Sequence, residues 1–153
     1  MTGRVGLMLG SLAREALRRV YHHTNKLLIA EFSGNPVTTV IAVYSPTNVA
    51  PPEEVEKFYE DLTTAVQHVP AHNFLAILGD FNARIGPEDI PFPYHDSTNP
   101  NGEYLTALIT EHQLLAANTL FRKELARGGR SRDRASGILR QLDYILVRRN
   151  VRH

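Results

Sequence analysis

The chain has 153 residues, enough for one domain, and with 42% hydrophobic residues it has material for a core. There are no cysteines, which excludes disulfides and thiolate metal sites. A net charge of +1 does not by itself call for a polyanionic partner, and no apolar run approaches the ~20 residues of a membrane helix.

In chain order, Arg4 to Gly10 is apolar and predicts a strand. Ser11 to Val20 has helical composition, with Ser11 as the expected N-cap. Lys26 to Phe32 and Val37 to Val43 read as two strands. Gly34-Asn35-Pro36 between them is a turn signal, so the pair predicts a hairpin. Tyr44 to Pro52 is a loop. Glu53 to Gln67 is a helix with Val55, Phe58, Tyr59, Leu62 and Val66 on one face. Its first turn carries Glu53, Glu54 and Glu56, which suit the positive end of the helix dipole.

Asn73 to Leu78 is short and apolar, and predicts a strand covered on both faces. Gly79 turns the backbone, and Asp80 and Asn82 leave the sheet at its carboxyl edge, where open α/β sheets place their chemistry. Period-two geometry points both side chains one way while the strand trace continues. A carboxylate beside an amide suits a hydrated metal and a phosphate oxygen. Taken alone, the pair is also ordinary turn chemistry.

Residues 84–100 form a long loop with Pro87, Pro91, Pro93 and Pro100. Asn101 to Gln113 predicts a second helix with Tyr104, Leu105, Leu108 and Ile109 inward. Leu114 to Thr119 predicts a short strand and Leu142 to Val147 a final one. Residues 122–140 form a second long loop, rich in arginine, and local basic excess attracts phosphate. A solvated loop explains the same arginines equally well. Hairpin strands mixed with helices argue for an α/β sandwich.

Gly79-Asp80-Phe81-Asn82 resembles the signature of the endonuclease/exonuclease/phosphatase family, metal-dependent enzymes that cleave phosphoesters. Four further segments carry the resemblance: Thr38 to Asn48, Glu53 to Tyr59, Asn101 to Thr106 and Gln141 to Arg149. Within the family they are most similar to the endonuclease domain of non-LTR, LINE-type retrotransposons. The match runs over residues 3–149 as one partial domain. It implies mixed, mostly antiparallel sheets packed together with helices outside.

The resemblance also assigns roles. Asp80 orients or deprotonates the attacking water, and Asn82 holds the phosphate. Tyr44 hydrogen-bonds phosphate or a metal-bound water. Asp143 fixes a catalytic histidine. Asn48, one place off the simplest alignment, and Arg130 and Arg132 are expected to meet substrate. Mg²⁺, or Mn²⁺, is the implied cofactor, DNA the implied partner, and the nucleus the implied location.

Three departures qualify this. The family's opening asparagine and metal-binding glutamate precede the first residue here. Its closing Ser-Asp-His segment is missing, and His153 has no Ser-Asp before it. Residues 127–139 replace an aromatic run, and the chain has no tryptophan. The expectation is a domain truncated at both ends, with no complete metal set and little catalytic power. The alternatives are a non-catalytic module that grips DNA or protein through Arg130, Arg132 and Arg134, and a phosphatase of the same family.

Overall fold

The computed structural model describes residues 5–87, 97–117 and 143–148. The elements are α1 (Ser11–Ala16), β1 (Leu17–Thr24), β2 (Leu27–Phe32), β3 (Thr38–Tyr44), α2 (Pro52–His68), β4 (Phe74–Asp80), α3 (Pro100–Glu111), β5 (Leu114–Ala116) and β6 (Asp143–Arg148). They build one six-stranded sheet in the order β1-β2-β3-β4-β6-β5. All neighbours pair antiparallel except β3 and β4. That parallel pair needs a crossover, and α2 supplies it.

One face of the sheet carries the core. Ile29, Ile41, Ile77 and Leu146 lie side by side in register across four strands, and all are buried. The apolar stripe of α2 packs on them through Val55, Phe58, Tyr59, Leu62, Ala65 and Val66. Leu105 and Leu108 of α3 join the same cluster, with Tyr104 and Ile109 packed at its margin. Leu62 is fully buried. Truncating such a leucine removes about 2–5 kcal/mol, so the helix layer and the sheet hold each other.

The hairpin and the helix at residues 53–67 are found as expected, α2 extending to Pro52 and His68. Elsewhere tertiary pairing overrides local composition. Residues 5–10 form no strand: Met8 is fully exposed and no strand pairs with this segment among the described residues. The helix expected over Ser11 to Val20 stops at Ala16, begins after Gly10 as its cap, and buries nothing. Leu17 to Val20 go into β1 because β2 offers them a ladder. β4 is fully buried on one face only, alternating through Leu75 and Ile77, rather than covered on both. The second long loop, residues 122–140, lies outside the described residues, as does the middle of the first.

Candidate active site

β3 and β4 run in the same direction, so both deliver their last residues to one edge of the sheet, and β6 begins there. The ladders place Tyr44 opposite Asp80 and Asp80 opposite Asp143. Three residues from separate parts of the chain thus form one cross-strand row. Neighbouring strands lie about 4.8 Å apart, so such a row spans roughly a phosphate and its water. Tyr44 is 40% exposed.

The backbone beside the row is held in conformations that few residues tolerate. Gly79 has φ 141°, and any Cβ there would run into the Val43 carbonyl. Asn82 has φ 47°, a left-handed geometry that asparagine accepts better than most residues. Asp80 Oδ1 accepts the Asn82 N–H at 2.9 Å, closing the turn between them. The ladder ends at Asp80, yet burial still alternates: Phe81, Ala83 and Ile85 are fully buried while Asn82 and Arg84 are not. Phe81 meets the Tyr144 ring edge-on at 6.3 Å, anchoring the loop in the core.

Polar cross-links then tie three loops together. Asn82 Nδ2 donates to the Ser45 carbonyl at 2.8 Å. Asn101, 2% exposed, donates from Nδ2 to the carbonyls of Pro46 and Asn82, both at 3.1 Å. The Ser45 N–H donates to the Asp80 carbonyl at 2.9 Å. Asn99 caps α3, its Oδ1 accepting the N–H groups of Gly102 and Arg84 at 2.8 and 2.9 Å. A Cβ on Gly102 would strike the Arg84 carbonyl. Beneath the network the Tyr59 hydroxyl donates to the Asn101 backbone carbonyl at 3.4 Å. Burial, with Tyr144 adding to it, pushes the Tyr59 phenol above its ordinary range.

Tyr44, Asp80, Asn82 and the backbone of Asp143 therefore come together. Asn48 stands exposed on the turn after Pro46 and makes no hydrogen bond to the row among the described residues. Arg130, Arg132 and His153 lie outside the described residues. His22 and His23 sit on the edge strand β1, with two strands between it and β4. The amide of Asn82 already holds a loop carbonyl, so its part in the site includes shaping it. The clamping role of Asn101 was not foreseen. The run Asn99-Pro100-Asn101-Gly102 signals a capped helix start, and nothing in it says which carbonyls the second asparagine would reach.

Among the described residues no three His, Asp or Glu side chains converge on a point that would hold a metal. Mg²⁺ usually takes one or two carboxylates, with phosphate oxygens and water filling its shell. Acidic residues directly opposed on neighbouring strands repel without a counter-charge. The Asp80–Asp143 register brings two acidic positions side by side at this edge of the sheet.

No protein-family model matches the chain. It is 32% identical to craniofacial development protein 2 of Bos taurus, over 97% of this chain and 26% of that protein. The Tragulus javanicus protein of the same name is also 32% identical, with 27% of it covered. The chain thus spans about a quarter of the length of these relatives. Among solved structures it superimposes on an AP endonuclease from Archaeoglobus fulgidus with a TM-score of 0.58, at 17% identity, covering 86% of this chain and 58% of that one. A 3′ phosphatase, NExo, from Neisseria, bound to a product DNA hairpin, superimposes with a TM-score of 0.53 at 19% identity, covering 80% and 52%. The chain carries the endonuclease/phosphatase fold, and no described helix is long and apolar enough to cross a membrane.

Proposed function

We propose that this chain, with the endonuclease/phosphatase fold and sequence similarity to craniofacial development protein 2, carries the water-activating side of a Mg²⁺-dependent nuclease site. The observation that supports it best is the row Tyr44–Asp80–Asp143 at the carboxyl edge of the sheet. Asp80 takes the attacking water. One of its oxygens is fixed by Asn82 N–H, and that bond sets the direction of the other. Tyr44 donates its hydroxyl to a phosphate oxygen, and Asn82 holds both the Tyr44–Pro46 loop and the phosphate. Asp143 faces Asp80 in register, and by resemblance it orients a histidine. Bound Mg²⁺ would neutralise charge developing on the phosphate.

DNA is the favoured substrate because one solved neighbour holds a DNA hairpin product and another is an AP endonuclease. The segments at Tyr44 to Asn48 and Asn101 to Thr106 favour a retrotransposon-type endonuclease, acting in the nucleus.

Titration of a labelled DNA duplex, with Mg²⁺ and with EDTA, tests the reading. Wild-type binding tightens in Mg²⁺, and Asp80→Asn removes that gain while leaving the EDTA affinity unchanged. Absence of DNA binding under both conditions would sink it. Plasmid nicking that disappears in Asp80→Ala would show instead that the row alone suffices for catalysis.

A further inference from the structure

The helix layer holds a second feature that the carboxyl edge does not use. α2 and α3 lie side by side, and between them runs an open groove of about 610 Å³. Its floor is aromatic: the Tyr59 and Tyr104 rings stack at 5.2 Å and 14°. Its walls carry Glu56 and Glu60 from α2 and Glu111 from α3, and among the described residues no basic side chain lines it. Burial, followed by the Glu56 carboxylate, raises the Tyr104 phenol, which keeps it a neutral donor beside that acid. The described cations with recorded partners are occupied elsewhere, Lys57 with Asp61 and Arg19 with Glu31.

We propose that this groove docks a lysine- and arginine-bearing peptide segment of a partner protein. Three carboxylates beside the half-buried Tyr104 ring match guanidinium and ammonium groups, which gain from acids and aromatic faces together. The lined stretch covers two turns of each helix, about 11 Å, the length of a short peptide rather than of one small cation. A nucleic-acid backbone would be repelled by the same walls, so the groove and the carboxyl edge take partners of opposite charge. The docking site stands whether or not the edge binds DNA.

The probe is a fluorescein-labelled peptide of alternating leucine and arginine, titrated against the full chain by anisotropy at physiological salt. The wild type binds it and ignores the same peptide with glutamine for arginine. Glu56→Gln with Glu60→Gln weakens binding about fivefold or more. Glu15→Gln with Glu54→Gln removes equal charge away from the groove and leaves affinity unchanged, because residues two apart on a helix face different ways. Ala107→Arg, on the groove wall, abolishes binding by placing a cation there. Glutamine and arginine are good helix formers, and circular dichroism checks that each variant stays folded. No wild-type binding, equal losses from the two glutamine pairs, or an unaffected Ala107→Arg variant overturns the proposal.

Discussion

The two ends of the β3–β4 ladder are built differently. At the amino edge, Asn73 donates to Thr39 Oγ1 at 3.3 Å, and the Arg148 guanidinium donates to the carbonyls of Pro70 and Val69 at 2.8 and 3.4 Å. Each side chain ties only two neighbouring pieces. The left-handed residue nearest this end, Gln113, follows the last turn of α3, an ordinary way to leave a helix. At the carboxyl edge two residues with positive φ flank one acid. Asn82 and Asn101 also lock three loops by side chains that donate to buried carbonyls. Sparse joints suffice to close a sheet. Strained backbone inside a dense polar network marks a place where geometry is held for another purpose.

Gly79→Val should do the greatest harm. It forces a β-branched residue to φ 141° and drives its Cβ into the Val43 carbonyl, costing about 3 kcal/mol or more. Urea unfolding reads this directly, and a midpoint equal to wild type would remove the strain from the comparison. Asn101→Ala leaves the Asn82 carbonyl without its side-chain donor and takes one of two donors, the other being the Ser45 hydroxyl, from the Pro46 carbonyl; it should cost about 2 kcal/mol. Asn73→Ala, its counterpart at the amino edge, should cost about 1 kcal/mol. Equal losses would mean that the edges do not differ.

The pH dependence sharpens the same contrast. The Tyr59 phenol lies under the carboxyl-edge network and has its pKa raised by burial. An unfolded tyrosine ionises near pH ~10 while the folded one stays protonated, so the unfolded state releases the proton first. The stability Tyr59 contributes is complete below pH ~10 and declines as pH rises above it. Thermal melts of the wild type should show that decline, and Tyr59→Phe should show less of it. The smallest effect is Arg148→Gln at the amino edge. It loses partly exposed bonds to two carbonyls and should cost about 1 kcal/mol or less.

Much of this was legible beforehand, for specific reasons. The apolar stripe of α2 repeats at helical spacing over 17 residues, so its face and bounds follow from the pattern. Gly34-Asn35-Pro36 between two β-branched runs announces the hairpin that forms. Residues 5–20 were misread because their composition suits a strand and a helix weakly, and the ladder with β2 decided where β1 begins. The sequence pointed to Asp80, Asn82, Tyr44 and Asp143 through a family resemblance. Their alignment in one row depends on β6 pairing antiparallel to β4 across more than sixty intervening residues.

The amino-acid sequence alone determined which residues make the core and which segments become the long helices. These follow from hydrophobic period and local turn preference, which act over a few residues. The tertiary structure decided that β3 and β4 end in register where β6 begins, that Asn101 reaches two distant carbonyls, and that acidic side chains of α2 and α3 share a groove. Those relations join residues far apart in the chain. They exist only once burial of the common core has fixed the layers against one another.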